Sequence, residues 1–176
     1  SWTHTGLTTY LVDAFTVSGT NLFAGTDGYG VYLSTNNGTS WTGAGGGLTN
    51  RYVLALAVSG SNLLAGTLGN GIFLSTNHGT SWTEVNIGWT FSNVPALAVS
   101  GTDLFVASSV DNHGPGVVQQ FDTSGTLINP ALITNLNFPN NLDFVAPKPT
   151  PLPVPEPATL PLLAIASILL AKKKRR

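Results

Sequence analysis

Ser34-Thr35-Asn36-Asn37-Gly38-Thr39-Ser40-Trp41 returns 41 residues later as Ser75-Thr76-Asn77-His78-Gly79-Thr80-Ser81-Trp82. Val17-Ser18-Gly19 recurs as Val58-Ser59-Gly60 and as Val99-Ser100-Gly101 at the same spacing. The register holds without gaps from Leu7. It aligns Leu7, Leu48 and Trp89, then Ala14, Ala55 and Ala96, then Phe23, Leu64 and Phe105. A fixed period of this length means one supersecondary unit repeated along the chain.

Each unit reads as short strands. Ala55-Leu56-Ala57-Val58 ends at Ser59-Gly60, and Asn62 to Thr67, Gly71 to Ser75 and Ser81 to Val85 follow, each bounded by Gly, Asn or Ser. No segment before residue 158 has a 3.6-residue period. Four short strands every 40 to 45 residues mark a β-propeller blade, whose sheet is apolar on both faces because its neighbours sandwich it. The expected fold is all-β: a partial propeller of about three four-stranded antiparallel blades, near residues 14–45, 55–87 and 96–135, with a Pro-rich linker and a C-terminal hydrophobic helix. Ser1-Trp2-Thr3 aligns with Ser40-Trp41-Thr42, and no Met is present, so at least one earlier blade is expected upstream.

The eight-residue box resembles the Asp-box (BNR repeat) of sialidase-like and sortilin-like propellers, S-x-D-x-G-x-T-W. Ser34, Asn36, Gly38, Trp41, Ser75, Asn77, Gly79 and Trp82 carry the match, with Asn standing where the family has Asp. The resemblance implies a structural turn. Asn36 or Asn77 accepts from backbone N–H groups and tolerates a left-handed backbone. Gly38 or Gly79 supplies positive φ. Trp41 and Trp82 fill equivalent, largely buried space between blades. The third repeat lacks the box. Gly116 to Pro130, with its Asp122-Thr123-Ser124-Gly125 turn, is similar to NHL or SMP-30-like blades.

Composition changes at Ala146. Proline alternates from Pro147 to Pro157, an extended spacer. Residues 158–171 are apolar apart from Thr159 and Ser167, and Lys172, Lys173, Lys174, Arg175 and Arg176 end the chain. A helix over 158–171 spans about 21 Å, short of a ~30 Å hydrocarbon core, and lysine snorkelling narrows that gap. The basic end holds the cytoplasmic side and leaves the body outside. Val154-Pro155-Glu156-Pro157, the apolar stretch and the basic end together resemble a PEP-CTERM sorting signal. That resemblance implies an exosortase-like membrane protease as partner, cleavage near Pro155-Glu156-Pro157, and export to the cell surface or medium after transient membrane anchoring. The division is 1–145 blades, 146–157 linker, 158–171 sorting helix and 172–176 basic cytoplasmic end.

Charged residues make up 9% of the chain, against roughly 25% in ordinary soluble proteins. Outside the last five residues only Arg51 and Lys148 are basic, against eight carboxylates, which argues against nucleic-acid binding. With no Cys, disulfides, thiolate metal sites and a Cys nucleophile are excluded. His4, His78 and His113 have no second ligand at metal spacing, so no metal is expected. A sialidase-type site needs an arginine cluster with an acid and a nucleophile, and one Arg51 cannot build it. No nucleophile triad or phosphate loop is recognisable. Gly43-Ala44-Gly45-Gly46-Gly47 reads as a flexible connection. Asp103, Asp122 and Asp111 to Gly114 read as turns, and Trp89 as packing with sugar stacking as its second role. The expectation is a non-enzymatic, cofactor-free, surface-displayed or secreted module with a binding or structural role in the bacterial envelope or extracellular matrix, extracellular polysaccharide or another surface protein being the candidate partners. The alternative is the C-terminal fragment of a sialidase-like glycoside hydrolase with its catalytic blades upstream. A third resemblance, to photosystem II assembly propellers, fits the Trp-ended boxes but not the tail.

Overall fold

A computed structural model describes residues 7, 10–85, 93–109 and 115–137. Twelve strands form among them: β1 Val12–Ser18, β2 Asn21–Thr26, β3 Gly30–Ser34, β4 Thr42–Gly43, β5 Val53–Ser59, β6 Asn62–Thr67, β7 Ile72–Ser75, β8 Thr83–Glu84, β9 Asn93–Ser100, β10 Asp103–Ser109, β11 Pro115–Asp122 and β12 Leu127–Asn137. They make three four-stranded sheets, β1-β2-β3-β4, β5-β6-β7-β8 and β9-β10-β11-β12, each an antiparallel meander. These are the three blades expected from the repeat. No helix occurs among the described residues. The hydrophobic helix expected at 158–171 lies outside them, as does the whole tail.

Repetition of sequence produces repetition of register. Val12↔Thr26 is followed by Ala14↔Gly25, and Val53↔Thr67 by Ala55↔Gly66, with one residue bulged out between the pairs. In blade 3 the break falls between Asn93↔Ser109 and Ala96↔Ala107. Gly19, Gly60 and Gly101 turn the three hairpins with φ near +60° (62, 60 and 62), where a side chain is disfavoured. The fourth strand of blades 1 and 2 is only two residues long, which leaves little open edge for another chain to pair with.

The strands β1, β5 and β9 lie side by side, so the inner strand of each blade meets the next. Two apolar clusters fill the spaces between blades. Phe23, Val31, Ala44 and Leu48 of blade 1 and its connection meet Val53, Leu63, Ala65, Phe73 and Trp82 of blade 2. Leu64 and Ile72 on the other face of blade 2 meet Val94, Leu104, Val106 and Phe121 of blade 3. Blade 2 is apolar on both faces for this reason: Leu56 and Val58 pack backward, and Ala57 forward.

Close approach of blades depends on two glycines. A Cβ on Gly25 would stand 2.6 Å from Val53 Cγ1, and one on Gly66 would stand 2.6 Å from both Val94 Cγ1 and Val94 O. Gly25 and Gly66 are repeat equivalents, as are Val53 and Val94, both of which have no exposed surface. The matching residue in blade 3 is Ala107.

Candidate functional site

The two boxes fold into superimposable turns between β3 and β4 and between β7 and β8. Ser34 Oγ accepts from Gly38 N at 2.9 Å and donates to Asn36 Oδ1 at 3.0 Å. Asn36 Oδ1 also accepts from Ser40 N at 2.9 Å, while its Nδ2 donates to Ser40 Oγ at 2.8 Å. Ser75, Asn77, Gly79 and Ser81 repeat this set at 2.9, 3.0, 2.9 and 2.8 Å. Asparagine therefore uses both ends of its amide, and the Nδ2 bond is one a carboxylate cannot donate. Gly38 and Gly79 have the expected positive φ, but the left-handed residue before each is Asn37 or His78 rather than Asn36 or Asn77. Asn37 and His78 both adopt φ 55°, and Gly38 and Gly79 follow at 82° and 79°. His78 thus replaces Asn37 at a left-handed position that both residue types tolerate better than most.

Expected equivalence of the two tryptophans fails. Trp82 is 5% exposed, and its indole N–H donates 2.7 Å across the blade boundary to Ala44 O. Trp41 is only partly buried, and its N–H turns back to Gly38 O of its own box at 3.1 Å. The cause is the neighbour. Gly79 sits on Phe23 and Ala44 of blade 1, whereas Gly38 meets only Leu22 and Trp41 of its own blade. Trp41 instead has an edge contact with Phe15, 6.0 Å between centroids, and Phe15 is itself 55% exposed.

The Gly43–Gly47 run is also something other than a flexible connection. A Cβ on Gly46 would lie 2.6 Å from Thr80 O, and one on Gly47 would lie 2.7 Å from Trp82 O. Trp82 N donates to Gly46 O at 2.8 Å. These glycines let the second box seat on blade 1. In blade 3 the Asp122 turn takes that place, with Gly125 against Val85. Asp122 Oδ1 accepts from Ser124 Oγ at 2.6 Å, Thr126 N at 2.8 Å and Ser124 N at 3.0 Å. The Ser124 hydroxyl bond, followed by the Thr126 backbone bond, holds the Asp122 carboxyl below its ordinary value.

One feature was not foreseen from sequence. All four tyrosines of the chain gather around the β2–β3 turn. Tyr10 packs on Tyr29 at 4.4 Å and stacks on Tyr32 at 5.1 Å, and Tyr52 lies 3.5 Å from the Cβ position of Gly28. A hydrogen bond with Tyr10, then burial, raises the Tyr32 hydroxyl above its ordinary value. A cavity of about 350 Å³ opens here, with Tyr29, Tyr32, Leu48 and Arg51 as side-chain walls and Gly43, Gly45 and Gly46 as backbone walls. Gly30 N donates to Arg51 O at 2.9 Å, fixing the Arg51 main chain against the turn. Asn50 braces the same connection, donating to Leu68 O at 2.6 Å and accepting from Tyr52 N at 2.9 Å. The available signal was departure from the repeat: Tyr10, Tyr29 and Tyr32 correspond to Arg51, Asn70 and Phe73 in the next unit.

Other expected sites divide in two. Val154 to Pro157, Lys172 to Arg176, Trp89, His4, His113 and Asp111 to Gly114 lie outside the described residues, although Leu48, the counterpart of Trp89, is buried. Among the described residues no group of three or more His, Cys, Asp or Glu is placed to hold a metal. No helix among them is long and apolar enough to cross a membrane. At the start of blade 1, burial and then the charge of Asp27 raise the Asp13 carboxyl above its ordinary value.

No protein-family model matches the chain, and no curated protein matches it. Solved structures do. A GH74 enzyme from Niastella koreensis is 28% identical with a TM-score of 0.55, covering 62% of this chain and 19% of that one. An ancestral GH74 enzyme is 24% identical with a TM-score of 0.56, over 70% of this chain and 18% of that one. YCF48 from Cyanidioschyzon merolae is 13% identical with a TM-score of 0.52, over 70% of this chain and 37% of that one. The chain therefore has a β-propeller fold and spans less than a fifth of the two GH74 chains.

Proposed function

We propose that this chain is an exosortase-sorted, surface-displayed propeller module that binds rather than catalyses. The observation that carries the reading is the tail: Pro155-Glu156-Pro157, an apolar stretch and five basic residues, in that order. The alternating prolines keep the cleavage site extended and clear of the blades. The apolar stretch enters a bilayer but is short for a permanent anchor. The basic end sets the orientation. Asp-box-like turns supply blades without chemistry, and one Arg51 is too little to hold a substrate carboxylate as a sialidase does. The module's partners are the sorting protease and an extracellular polymer or surface protein. Mass spectrometry of the C-terminal peptide from cell-surface material tests the sorting step. The expected result is loss of Lys172 to Arg176 with cleavage near Pro155-Glu156-Pro157. The full tail on most surface molecules, in a host with a working exosortase, contradicts it.

A second reading has its own support. The GH74 likeness, at 28% identity over 62% of this chain, fits a piece of a glycoside hydrolase. Turnover of xyloglucan or an aryl glycoside by the purified chain, above a heat-killed control, would establish it. The first reading expects none.

A further inference from the structure

We propose that the cleft walled by Tyr29, Tyr32 and Arg51 is a binding site for a neutral polysaccharide chain, an inference that rests on the binding-module reading above. Aromatic gathering is the first argument. The repeat does not require tyrosine at these positions, because blade 2 folds the same way with Arg51, Asn70 and Phe73 there. Yet all four tyrosines converge on one turn, and Tyr29 and Tyr52 remain 54% and 48% exposed. Exposed phenol rings offer apolar faces to the C–H groups of a sugar ring and hydroxyls to its rim.

The cleft itself is the second argument. Its volume, about 350 Å³, falls within the roughly 300–1,000 Å³ range of small-ligand sites. Glycine on three walls leaves backbone where side chains would otherwise project. A Cβ added at Gly43 would meet nothing within 4 Å, so that wall is open to an incoming ring. Arg51 brings a fork of N–H donors, the group that bridges neighbouring hydroxyls, and its carbonyl bond to Gly30 N keeps it beside Tyr29.

Charge decides the class of sugar. Asp27 shares the turn with Tyr29, and its charge reaches Asp13. Before residue 146 the chain has seven carboxylates against Arg51 alone. A polyanion is repelled by a body of that net charge, whereas a neutral sugar is not, and Arg51, the one charged wall of the cleft, can donate to its hydroxyls.

The test is titration of the full 176-residue chain, held in detergent micelles, with cellohexaose as the neutral probe and a polygalacturonate oligomer as the acidic one. Tyr29→Ala is expected to weaken cellohexaose binding at least tenfold and Arg51→Gln several-fold, with unchanged unfolding midpoints because both side chains are exposed. Phe15→Ala, which removes an exposed ring elsewhere on blade 1, is expected to leave affinity unchanged. Absence of cellohexaose binding at millimolar concentration overturns the proposal. So does binding indifferent to both substitutions, or an equal loss on Phe15→Ala. Tighter binding of polygalacturonate that depends on Arg51 overturns the neutral-sugar assignment. Sorting is read separately on the C-terminal peptide, so failure there leaves this titration unaffected.

Discussion

The boxes at 34–41 and 75–82 differ in one residue and make the same hydrogen bonds, yet their tryptophans meet different surroundings. Trp82 crosses to blade 1 and is buried; Trp41 stays on its own blade beside Phe15. The inner strands show the same contrast. Val53 has no exposed surface, while its counterpart Val12 is 44% exposed. Local sequence thus sets the turn, and the adjoining blade sets what the turn contributes to stability. Among the described residues no blade lies against the Trp41 side of blade 1.

The largest effect that can break this comparison is Trp82→Ala. Loss of a buried indole should cost about 3–5 kcal/mol in denaturant unfolding of the full chain. Trp41→Ala should cost at least about 1 kcal/mol less, since part of its ring is already in water. Equal losses would show that burial between blades is not what separates the boxes.

Next in size are the close-approach glycines. Gly66→Ala drives a methyl into the Val94 backbone and should cost about 1–3 kcal/mol or somewhat more. Gly25→Ala meets the Val53 side chain rather than its backbone and should cost less than Gly66→Ala. Ala107→Gly, at the matching place in blade 3, should cost only about 0.5–1 kcal/mol through backbone entropy. A tolerated Gly66→Ala would mean that the blades do not approach as described.

These particulars show where the sequence was readable. The gapless period and the Ser-Gly turns located three sheets, because each strand pair is local and its punctuation lies within one unit. The role of Gly46 and Gly47 was hidden, because it depends on Thr80 and Trp82, more than thirty residues away. A glycine run looks alike whether it bends freely or is pressed against a neighbour. The tyrosine cleft was hidden for a related reason. Tyr10, Tyr29 and Tyr32 converge only when β1, β2 and β3 pair, and none of the three is kept in the next repeat.

The smallest effects are electrostatic, and they differ in sign between blades 1 and 3. Asp122 is held below its ordinary carboxyl value of 3.8, so its contribution is present above that value and is lost as pH falls through the lowered one. Asp13 is raised above 3.8, so its contribution is full below that value and is lost as pH rises through the raised one. Asp122→Asn should therefore lower the thermal midpoint at pH 7, and Asp13→Asn should raise it. Both differences should vanish in acid well below the carboxylate range. Matching signs for the two variants would refute this assignment.

The most direct measurement is hydrogen exchange of the two indole N–H groups, followed by NMR on the full chain and assigned with Trp41→Phe and Trp82→Phe. Trp82 donates 2.7 Å into a buried carbonyl between blades, and Trp41 donates 3.1 Å within a partly exposed turn. The Trp82 proton should exchange many-fold more slowly than that of Trp41, and Gly66→Ala should not close the gap. Equal exchange rates at the two indoles would contradict the claim that the neighbouring blade, rather than the box, decides their burial.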